Sequence, residues 1–235
     1  MLTYSEFIEK LKEVQAVKWV KTHRLGNTGI GKTLEDLLGI AENNVAGPDL
    51  EEYELKSARK NSKSMLTLFT KSPLPPKANA LLLSKYGYKS AKGNDKKELH
   101  TTAKATGFNT LKGKPGFKIK VQKNKLSLVS SKGKELGYWD KTTLKTSFER
   151  KYPGLIYVKA ESKGKGKSEE FWFNEAFLLK EFNFESFISL VKKGVIAVDI
   201  RIGQYPNGKP HDHGTGFRVM PDKLDLCFKQ RQQIL

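Results

Sequence analysis

One cysteine in 235 residues, Cys227, leaves no internal disulfide and no cysteine-rich zinc site. No apolar run approaches the length of a bilayer span, which argues against a membrane helix. Where a secretory leader would be apolar, the N-terminal stretch carries Glu6, Glu9, Lys10, Lys12 and Glu13. Acidic residues are scarce too: 25 Asp and Glu stand against 43 Lys and Arg, a net charge of +18. These shortages predict a soluble, cytoplasmic protein with no membrane attachment and a polyanionic partner. A well-solvated basic surface accounts for the charge equally well, so composition alone does not choose nucleic acid. The length suits one large domain or two lobes.

Helices and strands alternate irregularly along the chain. Phe7, Ile8, Leu11 and Val14 share one face of a predicted helix over 4–16, with Thr3 and Glu6 spaced for a capping box. A short helix is expected over 34–41, capped by Thr33. Strands are expected near 53–57 and 65–70. From 102 to 167 the composition changes, with 17 Lys or Arg against four acidic residues. Two segments in this window, 117–121 and 125–129, alternate like a β-hairpin with one basic face. A helix near 142–150, strands at 155–160 and 171–173, a helix at 185–193, a buried strand at 195–200 and a helical tail from Leu224 complete the reading. Without regular βαβ alternation, this order points to an α+β fold. The composition shift places a boundary near residue 101, giving lobes 1–101 and 102–235, with strands of the second free to return to the first.

The most informative stretch is Gly47-Pro48-Asp49-Leu50-Glu51-Glu52-Tyr53-Glu54-Leu55-Lys56. Strand side chains alternate faces, so Tyr53 and Leu55 point one way while Glu54 and Lys56 share the other. Gly47-Pro48 sets a turn that delivers Asp49 to the Glu54 face. Two carboxylates and an ammonium at one point can hold Mg²⁺ and steady a phosphate under attack by water. Asp49 and Glu54 are the expected metal ligands, and Lys56 the group that orients water or offsets transition-state charge. Glu35, on the short helix, is a further candidate carboxylate. A solvated strand face with an ordinary salt bridge fits the same residues.

A second motif competes. Gly26-Asn-Thr-Gly-Ile-Gly31-Lys32-Thr33 fits the phosphate-binding loop pattern of nucleotide hydrolases. That motif needs a buried strand immediately before it, and here Lys21-Thr22-His23-Arg24 precede it. The expectation is instead that Lys32 and the neighbouring amides meet a backbone phosphate of DNA.

Several blocks together resemble the MvaI/BcnI family of restriction endonucleases. They are Gly26 to Leu38, Glu42-Asn43-Asn44, Pro48-Asp49 with Glu54-x-Lys56, and Leu66 to Pro73. Further on come Ala160-Glu-Ser162, Val198 to Gly203, and His211-Asp-His-Gly-Thr215 with Phe217-Arg218. The likeness covers nearly the whole chain and is weakest in the basic middle. It implies a PD-(D/E)xK nuclease core with a mixed sheet, a second DNA-recognition lobe, Mg²⁺ dependence and cleavage of double-stranded DNA. It also implies action as a monomer on a short CC-N-GG-type site, with a companion DNA methyltransferase that need not touch the protein. The family is prokaryotic. The MutH mismatch-repair nickase is similar in fold and active site but lacks the His-Asp-His segment.

On this resemblance, base reading falls to Arg201, His211, Asp212, His213 and Arg218, with Thr70 and Lys71 also at the DNA. Arg can grip the O6/N7 edge of guanine, and Asp can accept from cytosine N4. His211 and His213 also have metal-ligand spacing, but Cys227 is remote and no third partner is evident. Thr70 matches the branch of the family that points to CCWGG; the other branch carries His there.

Overall fold

Thr3 opens the first helix, Tyr4–Val17, with the expected reciprocal cap: its hydroxyl accepts from the Glu6 amide while Glu6 takes the Thr3 amide. Phe7, Leu11 and Val14 are its buried face. The computed structural model describes residues 2–41, 50, 52–91, 96–152 and 154–235. The chain divides into two units. One takes Met1–Lys63, Glu149–Asn183 and Phe228–Leu235; the other takes Ser64–Phe148 and Phe184–Cys227. The expected boundary at residue 101 is therefore not where the chain passes between units. Charge density marked the break, whereas strand pairing sets it: the long strands Gly154–Lys163 and Glu170–Lys180 return to the N-terminal unit.

In that first unit the strands run in the order Val20–Lys21, Glu170–Lys180, Gly154–Lys163, Glu54–Arg59, with Gln230–Gln233 also paired to Glu170–Lys180. The sheet is mixed, as the fold class predicts. Glu54–Arg59 runs parallel to Gly154–Lys163, with Leu155 opposite Glu54, and the other pairings are antiparallel. The helices Tyr4–Val17 and Gly29–Leu38 pack Phe7, Leu11, Ile30, Leu34 and Leu38 on Leu55, Ile156, Val158, Phe171 and Phe173. Burying each such large side chain is worth about 1.5–3 kcal/mol.

Two local expectations change here. The second helix begins at Gly29, five residues before the expected start, so Thr33 lies inside it rather than capping it. Its buried hydroxyl donates to the Gly29 carbonyl at 2.8 Å and accepts the His23 amide at 3.0 Å. Glycine costs helix stability, but a Cβ on Gly29 would lie 2.2 Å from the Arg24 carbonyl oxygen, so only glycine fits. The phosphate-loop pattern is consequently half helical and follows a two-residue strand, which overturns the nucleotide-hydrolase alternative. The tail is helical only over Leu224–Cys227 and then forms the strand Gln230–Gln233. Phe228 is buried against Tyr152 and Phe182, and the Arg231 guanidinium lies 3.9 Å from the Phe177 ring centre, which pins the tail as an edge strand.

The second unit is built on an antiparallel sheet in the order Leu66–Thr70, Gly216–Val219, Ile196–Gln204, Lys97–Ala103, Tyr88–Lys89, with Pro210–Asp212 also paired to Ile196–Gln204. The expected basic hairpin forms and gains a third strand, as Phe117–Val121, Lys125–Ser130 and Glu135–Asp140. Phe69, Trp139, Phe148, Phe187 and Phe217 pack as an aromatic core with centroids 5.0–6.1 Å apart. The helix Ala78–Tyr86 and the strand Lys97–Ala103 were not foreseen. Among the described residues, no helix is long and apolar enough to cross a membrane.

Candidate active site

Glu54 opens its strand, and its side chain is only 2 % exposed. A buried carboxylate needs counter-charge or hydrogen bonds, and two ammonium groups supply both. Lys56 Nζ lies 2.5 Å from Oε1, as the strand alternation predicts. Lys151 Nζ lies 2.9 Å from Oε2 and was not foreseen. The parallel pairing of the two strands brings Lys151 in from 97 residues along the chain. Asp49 lies outside the described residues, as do Glu42 to Pro48.

Glu35 sits half-buried on the helix Gly29–Leu38, which packs against the Glu54 strand. On the same helix the Lys32 ammonium is 2.7 Å from Asp36, which also receives His23 Nδ1 at 2.9 Å. These bonds, that from Lys32 foremost, hold the Asp36 carboxyl below its ordinary value. Among the described residues no three His, Cys, Asp or Glu converge as a metal cluster. The chemistry of Glu54 nonetheless suits a hard divalent cation: an oxygen donor, buried, with positive charge already drawn to both of its oxygens.

A second constellation lies in the other unit. On the strand Ile196–Gln204, Asp199, Arg201 and Gly203 share one face by the two-residue period. The register sets Thr102 opposite Asp199, His100 opposite Arg201, and His211 opposite Gly203. Asp199 is buried and accepts Arg201 Nε at 2.7 Å and the Thr102 hydroxyl at 2.8 Å. Arg218 Nε lies 3.0 Å from the same carboxylate, as an ion pair whose N–H is not aimed at the oxygen. Both arginines use Nε here, so the carboxylate does not consume their outer Nη edges. Burial lowers the Arg218 pKa against the opposing pull of Asp199, and an arginine so shifted stays charged. The rings of Tyr205 and His213 each lie 4.3 Å from that of His211.

Asp212, expected at the DNA, is bonded within its own unit. One of its oxygens accepts the Gly214 and Thr215 amides at 3.0 and 2.7 Å; the other accepts Ser72 Oγ at 2.6 Å and Asn79 Nδ2 at 2.7 Å. Burial would raise its pKa, but the bonds from Ser72, Thr215 and Gly214 outweigh it, and the net direction is down. Thr70 is exposed at the end of its strand, opposite Gly216. The Lys71 amide donates to the Thr215 carbonyl at 3.0 Å, and its carbonyl accepts Trp139 Nε1 at 2.7 Å. Thr70, Lys71, Ser72, Asn79, Asp212 and Thr215 line an open groove of about 640 Å³ within this unit.

The model of the MvaI/BcnI restriction endonuclease family matches residues 8–228. The chain belongs to that family. Membership makes it a site-specific nuclease of the restriction-endonuclease type. It is also similar to the solved structure of the restriction endonuclease MvaI with its cognate DNA substrate, at 33% identity over 100% of both chains, with a TM-score of 0.86. Against MvaI in the absence of DNA the identity is 33%, the coverage 100% of this chain and 99% of that one, and the TM-score 0.58. No curated protein matches the chain.

Two residues of this MvaI/BcnI endonuclease escaped sequence reasoning. Asp199 lies inside one of the blocks that carry the resemblance, but its place as the shared counter-ion of two arginines needed the register of two strands. Lys151 carried no local signal beyond being one lysine in a basic chain.

Proposed function

We propose that the protein is a type II restriction endonuclease that binds double-stranded DNA as a monomer. It would hydrolyse the DNA with Mg²⁺ at a CC-N-GG-type site, favouring CCWGG. The observation that carries this is the pair of buried Glu54 and partly exposed Lys56 on one strand, in a chain 33% identical along its whole length to an enzyme solved on its cognate DNA. In this reading Asp49 and Glu54 hold the cation, with Glu35 as a further carboxylate of the site. The cation would supply Lewis-acid polarisation of the phosphate and a water of lowered pKa. Lys56, already against Glu54, orients that water and offsets charge gathering on the phosphate oxygens.

Sequence reading is assigned to Arg201, Arg218, His211 and His213. Asp199 orients the Arg201 guanidinium through its Nε bond and gives Arg218 a counter-charge, leaving the outer edges of both to meet guanine. Asp212, with all four of its acceptor bonds made internally, supports the loop that carries its neighbours instead of touching a base. Thr70 and Lys71, on the groove, and Lys32, on the other unit, take DNA contacts. Such an enzyme would work in the cytoplasm of a prokaryotic cell, its own sites protected by a companion methyltransferase without direct contact.

Incubation with plasmid DNA and Mg²⁺, followed by sequencing of fragment ends, tests the proposal. Discrete fragments ending in a CC-N-GG-type site are expected, and Asp49→Ala should abolish them while leaving DNA binding. Nicks that appear only with a partner protein would instead identify a MutH-like repair enzyme. Retarded DNA without any cutting would identify a binding module. Undiminished cleavage by Asp49→Ala would remove the assigned site.

A further inference from the structure

We infer that Lys151 is a built-in counter-ion for Glu54 that competes with the divalent cation for the same carboxylate. The inference rests on the reading of Glu54 as a metal ligand and goes one step beyond it. The motif accounts for one lysine, Lys56, on Oε1; Lys151 occupies the other oxygen, Oε2, at 2.9 Å. With a side chain 2 % exposed, Glu54 has little access to water, so these two ammonium groups stand in for the missing solvation.

The placement of Lys151 is specific. It lies at the end of the turn that leads into the strand Gly154–Lys163, next to Tyr152. Tyr152 is buried with its ring 5.8 Å from Phe182 and 6.1 Å from Phe228. Leu155, four residues on, pairs in register with Glu54. The backbone is thus anchored just beyond Lys151, at Tyr152 and at Leu155, while the side chain keeps 25 % of its surface in solvent. The ammonium can leave Oε2 without disturbing the fold.

A dication at Oε2 and an ammonium on the same oxygen repel each other, and in a sheltered site that repulsion is only partly screened. Cation binding therefore has to displace Lys151, and the freed ammonium gains most where a phosphate is present to receive it. Metal and DNA binding are then coupled through one lysine, and by linkage the coupling runs equally in both directions. The free protein holds metal weakly, and DNA strengthens that hold.

The test uses the full chain without DNA, at fixed ionic strength, and counts free Mn²⁺ by electron paramagnetic resonance. Lys151→Met should bind Mn²⁺ about tenfold more tightly than the wild type, because a positive competitor has been removed. The metal-free variant should also melt at a lower temperature. Unchanged or weakened Mn²⁺ binding would overturn the inference. Should Lys151→Met fail to fold, Lys151→Gln, which keeps one hydrogen-bond donor without the charge, is expected to tighten binding in the same direction. Glu54→Gln separates the two levels. If it weakens Mn²⁺ binding while the Lys151 variants change nothing, only the competition fails. If Glu54→Gln binds as the wild type does, Glu54 is no ligand, and both the competition and the site reading fall.

Discussion

Gly203 makes room for the ring of His213: a Cβ on Gly203 would come within 2.5 Å of His213 Nε2. The strand places Gly203 on the face of Asp199 and Arg201, and the His213 amide donates to the Arg201 carbonyl at 2.7 Å. The missing side chain is thus the seat of a proposed base-reading ring. Gly203→Ala should leave the melting temperature nearly unchanged, because the end of one histidine can move. It should lower discrimination between cognate and altered sites by about 1–3 kcal/mol, the usual worth of one base contact. Paired cleavage rates on the two substrates measure it, and equal selectivity to wild type would show that His213 reads nothing.

Asp199→Asn probes the support beneath the arginines. The wild-type carboxylate is 1 % exposed and faces both Arg201 and Arg218. Removing its charge weakens its hold on two partly exposed guanidiniums, and a hydrogen bond to a charged group is worth about 1.5–3 kcal/mol. Chemical denaturation should register a loss of that size. Specificity should fall further than non-specific affinity, since phosphates still attract two now less constrained guanidiniums. A variant as stable as the wild type would mean that the pairs are not what holds this face together.

Much of this architecture was legible in the chain, for identifiable reasons. The capping box at Thr3 and Glu6, the alternation that puts Lys56 beside Glu54, and the basic hairpin are local patterns, and each is present in the fold. What escaped depends on partners distant in sequence. Gly29 reads as loop until the Arg24 carbonyl is seen to leave no space for a Cβ. The polar tail reads as helix until Phe228 and Arg231 are seen anchoring it to the sheet. Lys151 meets Glu54 only through a parallel pairing. Asp212 had the right chemistry for a base contact, and only the positions of Ser72, Asn79, Gly214 and Thr215 reveal that its oxygens are already spent.

Salt dependence tests whether the basic window, residues 102–167, tracks the phosphates of bound DNA. Lys118 and Lys120 lie on the outer hairpin strand, where Phe117 and Ile119 face the core. Phosphate contacts release counter-ions, so affinity should drop steeply with salt, by about a thousandfold between 50 and 200 mM for six contacts. Replacing Lys118 and Lys120 by Ala should make the slope of log affinity against log salt shallower, by about one for each phosphate no longer neutralised. Filter binding or fluorescence anisotropy provides the slope, and an unchanged slope would take these lysines off the DNA.

Asp212 gives a pH-dependent prediction. Its folded pKa lies below the ordinary 3.8, because the bonds it accepts outweigh the effect of burial. A carboxylate depressed in the folded state contributes stability that is fully present above its unfolded value and is lost as pH falls through its folded value. Asp212→Asn turns an acceptor into a donor among four donors, so at neutral pH it should cost about 2–3 kcal/mol, the scale of hydrogen bonds to a charged group. That difference should be constant above about pH 5 and shrink below 3.8 as the wild-type carboxylate takes up its proton. Urea unfolding of both proteins across this range measures it. Because His211 and His213 flank Asp212 in the chain, cleavage by the variant should lose selectivity at neutral pH even where the fold is intact. A stability difference that persisted unchanged well below 3.8 would mean that the charge on Asp212 is not what ties the loop down.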